Sequence, residues 1–129
     1  MRTTILIVDD NALVRTFIRG ITAQEPSLHV VGEAADGAEA MRLAQALRPD
    51  LILLDLVMPR VSGLEALRGI KAARPETQVI IVTVHGEDAY RQAAEASGAD
   101  AFLLKKTLVT LLLPTIRRLC GSLAPPQAS

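Results

Sequence analysis

Short runs of leucine and β-branched residues alternate along the chain with stretches whose apolar residues return every three or four positions, and five such pairs follow one another. A strand buried on both faces appears as a continuous apolar run, and a half-buried helix as the longer period. The first strand is predicted over 4–8, and the helix after it presents Leu13, Phe17 and Ile21 as its core face. A second strand near 28–33 precedes a helix opened by Asp36-Gly37, with Ala40, Leu43, Ala44 and Leu47 on one side. Pro49 ends that helix by biasing Arg48 away from helical geometry. The third strand, 51–54, is apolar throughout and therefore central. After the turn from Met58 to Gly63 comes a helix holding Leu64, Leu67 and Ile70, stopped before Pro75, and the fourth strand follows at 78–83. A fourth helix at about 87–97 offers mainly Ala89, Ala93, Ala94 and Ala96, with Gly98 as its C-terminal cap. With so little to bury, it is expected among the more mobile elements. The fifth strand is 101–104 and the last helix lies in 107–120.

Strand–helix pairs of these lengths predict an α/β fold, a (βα)5 doubly wound parallel sheet covered by helices on both faces. In such a sheet the ligand crevice lies beyond the carboxyl ends of the strands, so the residues ending each strand carry the functional reading. The chain of 129 residues is one domain's worth: 1–121 as the folded unit, and 122–129, with Pro125-Pro126, as a tail or the start of a linker.

Composition narrows the function classes. Half the residues are hydrophobic but only Phe17, Phe102 and Tyr90 are aromatic, so the core is aliphatic. Fourteen basic residues balance fourteen acidic ones, which argues against direct nucleic-acid binding by this chain, although beyond Asp100 only Lys105, Lys106, Arg117 and Arg118 are charged. The single Cys120 has no disulfide partner and no zinc-site spacing. No apolar run approaches the ~20 residues of a membrane helix, and Asp9-Asp10 interrupt the N-terminus before a signal peptide forms, so a cytoplasmic protein is expected.

The strand ends read Asp9-Asp10, Asp55, Thr83 and Lys105. Taken singly each is ordinary: Asp9 or Asp10 as a helix cap, Asp55 in a loop, Thr83 as a β-former, Lys105 as a solvated charge. Gathered in one crevice they are not. Three carboxylates repel one another, Lys105 offsets one charge, and a divalent cation would balance the remainder. With no His or Cys at these ends, an all-oxygen set favours Mg2+ over zinc. Such a site suits nucleophilic phosphoryl transfer to Asp55, with Lys105 and the ion drawing charge from the transferring group and the Thr83 hydroxyl bonding one of its oxygens.

With Val8-Asp9-Asp10, Asp55-Leu56-Val57-Met58-Pro59 followed by Ser62-Gly63, Thr83, and Gly98-Ala99-Asp100 through Lys105, the chain resembles the receiver domains of two-component response regulators over about 4–119. The segments 98–105 and 63–67 are most similar to receivers of NarL-like regulators. The resemblance implies a CheY-like, flavodoxin-like sheet of strand order 2-1-3-4-5. It implies Asp55 as phosphoacceptor, Mg2+ held by Asp10, Asp55 and the Val57 carbonyl with Asp9 assisting, Thr83 and Lys105 on the phosphoryl group, and Phe102 as an aromatic switch answering Thr83. The implied donor is a histidine kinase or histidine phosphotransfer protein, and the outcome is control of a partner or output domain. No helix-turn-helix domain is present, and only eight residues follow Gly121, so the chain reads as a stand-alone receiver or a piece of a longer regulator.

Several positions depart from the pattern. Val84 stands where the family usually has a small residue and is expected to narrow access to Asp55. Val57 and His85 occupy positions that often govern how water reaches the acyl phosphate, and Lys106 adds a second ammonium after Lys105. The last helix carries Leu108, Val109, Leu111, Leu112, Leu113, Ile116 and Leu119, more than one buried face, with Pro114 among them. It therefore either begins near Thr110 or kinks at Pro114. Its excess apolar surface marks a possible homodimer contact or is turned inward by the kink. Competing readings are a receiver-fold module that works without phosphorylation; a dehalogenase-type phosphatase, which lacks here its second Asp two residues after the first; and a flavodoxin-type flavin module, which lacks its Ser/Thr/Gly-rich phosphate loop.

Overall fold

The computed structural model describes residues 2–121; the tail reading for 122–129 lies outside them. Five strands, β1 (Thr3–Val8), β2 (Leu28–Ala34), β3 (Leu51–Leu54), β4 (Gln78–Thr83) and β5 (Ala101–Leu104), form one sheet in the order β2-β1-β3-β4-β5, with every neighbouring pair parallel. Parallel neighbours require crossovers, supplied by α1 (Ala12–Thr22), α2 (Gly37–Leu47), α3 (Gly63–Ala73) and α4 (Asp88–Ala96), while α5 (Leu108–Cys120) closes the chain after a 3-10 turn over Lys105–Thr107. β3 is buried throughout, and β1 and β4 are buried except at Thr4 and Gln78, as their apolar runs predict.

Because side chains alternate across the sheet, the core divides in two. Leu6, Val8, Ile52, Leu54, Val79 and Ile81 point to the side covered by α2, α3 and α4, where they meet Ala40, Leu67, Ile70 and Ala94. Ile5, Ile7, Leu51, Leu53, Ile80 and Val82 point to the side of α1 and α5, where they meet Ile18, Ile21, Leu112 and Ile116.

The buried face of α1 differs from the one predicted. Two apolar stripes interleave on this helix, and the structure buries Ile18 and Ile21, with Val14 packed beside them, leaving Leu13 79% and Phe17 49% exposed. The rotation is fixed by ion pairing: Arg15 and Arg19, one turn apart on the flank away from Leu13 and Phe17, both reach Glu33 of β2, Arg15 at 2.7 Å. Their guanidinium groups hold the Glu33 carboxyl below its ordinary range.

On α2, Arg48 adopts the left-handed conformation (φ 48°) and its N–H closes on the Ala44 carbonyl, so the helix ends at Leu47 and Arg48 leaves helical geometry before Pro49 as expected. Leu47, predicted on the core face, is 40% exposed: it sits in the last turn and only edges the sheet, its Cδ1 lying over Gly32 of β2. On α4 only Ala94 is buried, and Gly98 takes the left-handed geometry (φ 104°) just past its end.

The helix α5 does not begin near Thr110: it begins at Leu108 and runs through Pro114 to Cys120. Pro114 lies on the exposed side, so the Thr110 carbonyl left without a helical donor faces water, where the loss costs least. Leu108, Leu112 and Ile116 are buried and Leu113 and Leu119 pack beside them, leaving Val109 70% and Leu111 43% exposed.

Candidate functional site

Strand register brings the predicted strand-end residues to one edge. Val8 pairs with Leu54, and Thr83 with Leu104, so Asp9, Asp55, Thr83 and Lys105 leave the sheet at the same carboxyl end. The helix-cap alternative for the acidic pair is removed by Asn11, which caps α1 through its own side chain, accepting from the Leu13 N–H at 2.9 Å. Asp9 is buried and accepts from the Asn11 N–H, while Asp10 is exposed at the mouth of the crevice.

Each of Asp9, Asp10 and Asp55 offers a carboxylate oxygen, and the three lie within 4.8 Å of one another. Lys105 enters from β5 and places its Nζ 2.8 Å from an Asp9 oxygen and 3.3 Å from an Asp55 oxygen. Burial pushes the Asp55 carboxyl above the ordinary range; the Asp9 charge adds to this and Lys105 opposes it. Burial acts to lower Lys105, but the hydrogen bond to Asp9 and the two carboxylate charges outweigh it, so the ammonium is held more firmly than in water. The ensemble of three carboxylates against one ammonium, oxygen donors only, with one member exposed and open to water, fits a hard divalent cation such as Mg2+.

The loop after Asp55 is set by α3. Ser62 caps that helix, the Gly63 N–H bonds the Leu56 carbonyl at 2.8 Å, and a Cβ at Gly63 would stand 2.0 Å from the Asp55 carbonyl oxygen. Only glycine permits this approach. Val57 turns its side chain outward while its N–H points to the Asp55 carboxylate at 3.4 Å. Thr83 is buried at the end of β4, and its hydroxyl accepts from the His85 N–H at 3.2 Å; it is bonded to its own loop and makes no hydrogen bond to Asp55. Phe102 is half-buried against the α2–α4 side of the core. A cleft of about 470 Å³ beside Lys105 is lined by Val84, Gly86, Leu104, Lys105 and Lys106, with Val84 67% exposed at its wall.

Two site residues are not evident in the sequence. Arg15 donates to the Asp9 carbonyl and so braces the β1 end of the site while pairing with Glu33. Arg91 of α4 lies over the Phe102 ring. Both are arginines at ordinary helical surface positions, and only the assembled structure shows what they reach.

The family model for the response regulator receiver domain matches residues 5–117. The chain belongs to that family. The receiver domain is 38% identical over 102 residues to the nitrate/nitrite response regulator protein NarL of Escherichia coli, covering 79% of this chain and 47% of NarL. Among solved structures it is similar to a LuxR-family two-component response regulator from Aurantimonas (TM-score 0.88, 32% identity, 97% of this chain and 90% of that one). It is also similar to the response regulator domain of CheB from Thermotoga maritima (TM-score 0.86, 34% identity, 92% and 96%). These findings bear out the CheY-like fold and the likeness to NarL-type receivers, and leave the phosphatase and flavodoxin readings without support. The receiver domain spans about half the length of the curated relatives it matches. No helix among its described residues is long and apolar enough to cross a membrane.

Proposed function

We propose that this receiver accepts a phosphoryl group on Asp55 from a histidine kinase or histidine phosphotransfer protein, in a Mg2+-dependent transfer, and that the modification shifts its conformation to control a partner or output domain. The observation that carries the reading is the trio Asp9, Asp10 and Asp55 within 4.8 Å of one another, with Lys105 bonded to two of them. In the transfer, an Asp55 carboxylate oxygen forms a bond to phosphorus as the P–N bond to the donor imidazole breaks. The imidazole leaves with the bonding pair and takes a proton from solvent. Mg2+, held by Asp9, Asp10, Asp55 and the Val57 carbonyl, would supply positive charge to the phosphoryl oxygens.

The chain's own groups do the rest. Lys105 turns from the Asp55 carboxylate to the incoming phosphoryl oxygens, keeping its bond to Asp9. Thr83 exchanges the His85 N–H for a phosphoryl oxygen, and Phe102 follows it inward. Water then hydrolyses the acyl phosphate, at a rate set by Val57 and His85 at the mouth. The protein acts in the cytoplasm, where such donors are found, as a signalling domain rather than a turnover enzyme. Leu111, apolar and exposed on α5, supports self-association through that helix.

Intact mass after treatment with acetyl phosphate, with and without Mg2+, tests the acceptor. A single phosphoryl adduct that needs Mg2+ and vanishes in Asp55→Asn is expected. No adduct under any condition refutes it and favours a receiver that works without phosphorylation.

A further inference from the structure

The helix α4 has few attachments. It buries only Ala94, and its N-cap residue, Glu87, makes no side-chain capping bond. What holds its outer edge to the sheet is aromatic: the Tyr90 ring lies 5.0 Å from the His85 ring, and the Arg91 guanidinium carbon lies 4.5 Å from the centre of the Phe102 ring. Among the described residues, Arg91 makes no ion pair and no side-chain hydrogen bond, so the ring face is the defined partner of its charge.

These contacts close a circuit around the end of β4. Thr83 holds the His85 N–H; His85 leans on Tyr90; Arg91 follows Tyr90 and covers Phe102; and Phe102 pairs with Ile81, two residues before Thr83. A Thr83 hydroxyl drawn towards Asp55 must release the His85 N–H. A Phe102 ring drawn inward must leave the guanidinium.

We infer that Arg91 is a positioning residue: by stacking on Phe102 it holds the receiver in its resting conformation and sets how readily Asp55 becomes phosphorylated. The inference rests on the proposed acceptor role of Asp55 and names a control on it. An interaction made in one state and lost in the other biases the equilibrium by its own strength, and whatever favours the second state then acts against that bias. For a half-exposed cation over a phenyl ring the bias amounts to about two- to fivefold in the apparent affinity for a phosphoryl group.

Beryllofluoride with Mg2+, a phosphoryl mimic that seats on a carboxylate, measures that affinity without turnover. Five proteins are compared: wild type, Arg91→Met, Arg91→Lys, Phe102→Leu, and the Arg91→Met/Phe102→Leu pair. Arg91→Met, which keeps an apolar stem but no charge, is expected to tighten beryllofluoride binding about two- to fivefold, with Arg91→Lys nearer to wild type. In the Phe102→Leu background the same change is expected to do nothing, since the ring it acts through is gone. Unaltered affinity in Arg91→Met overturns the inference while leaving Asp55 as acceptor. An equal gain in both backgrounds also overturns it, because Arg91 would then act through the stability of α4. Failure of wild type to bind beryllofluoride overturns the acceptor reading and the inference together.

Discussion

Replacing Asp55 by asparagine should stabilise the metal-free protein at neutral pH, and the structure sets the terms. At an effective dielectric of about 20, the nearby Asp9 carboxylate, taken at the 4.8 Å limit, repels the Asp55 charge by about 3.5 kcal/mol, while Lys105 at 3.3 Å attracts it by about 5 kcal/mol. With exposed Asp10 screened by water, these two terms alone would favour the charged form by their difference. The carboxyl is nevertheless pushed above its ordinary range, so the loss of hydration on burial outweighs that margin. An amide loses less on burial and still accepts a hydrogen bond from Lys105, so Asp55→Asn should gain about 1 kcal/mol, the usual scale for relieving a functional site, or about 3–5 °C in Tm.

The pH dependence has a definite sign. Because the folded pKa exceeds the unfolded one, the native state binds the extra proton between the two values, and wild-type stability falls as pH rises through that window. Below the ordinary aspartate value of 3.8 the Asp55 deficit is absent; it is complete above the raised folded pKa. Urea denaturation of both proteins from pH 3.5 to 8, without divalent cations, should show curves that meet at the acid end and separate upward. Adding Mg2+ should then stabilise wild type more than the variant. A variant less stable than wild type at pH 7 without metal, or a gap that does not change with pH, refutes the reasoning.

Val84→Ala should speed both phosphorylation by a phosphorylated histidine protein and hydrolysis of the product by about three- to tenfold, since the exposed isopropyl group walls the cleft beside Lys105; unchanged rates in a radiolabel transfer assay count against it. Pro114→Ala should add about 1–3 kcal/mol to unfolding stability by restoring an N–H to the Thr110 carbonyl, measured by urea denaturation; a loss of stability would mean that the ring packs in a way its exposure does not suggest. Sedimentation velocity should detect a dimer of the beryllofluoride-treated protein that Leu111→Glu weakens, and a strict monomer at high concentration in both states rules out association through α5.

All five strands and the convergence of the strand-end residues were legible because a parallel sheet leaves an unbroken apolar run and because polar residues directly after such runs have one place to go. Helix rotation was less so. On α1 the stripe through Leu13 and Phe17 and the stripe through Val14 and Ile18 are equally apolar, and the choice is made by Arg15 and Arg19 reaching Glu33, a contact between residues some 18 positions apart in the case of Arg15. The same limit hid the brace from Arg15 to Asp9 and the stacking of Arg91 on Phe102. On α5 the surplus of leucines was read correctly, but the two left exposed, Val109 and Leu111, lie about 200° apart around the helix and do not make a single stripe.

The tight approach of Gly63 to the Asp55 backbone makes the surroundings of the acceptor unequal in what they tolerate over evolutionary time. Any side chain at 63 displaces Asp55 itself, whereas Val57 turns its side chain into solvent from the same loop; Arg60, though exposed, is tied to Asp36 at 2.8 Å and holds a left-handed backbone (φ 64°). A duplicated copy of this gene can therefore diverge at 57 while Asp55 stays where it is, and on the proposed function that is a position from which donor preference could change. A library randomised at 57 should yield many folded receivers, and one randomised at 63 should return glycine.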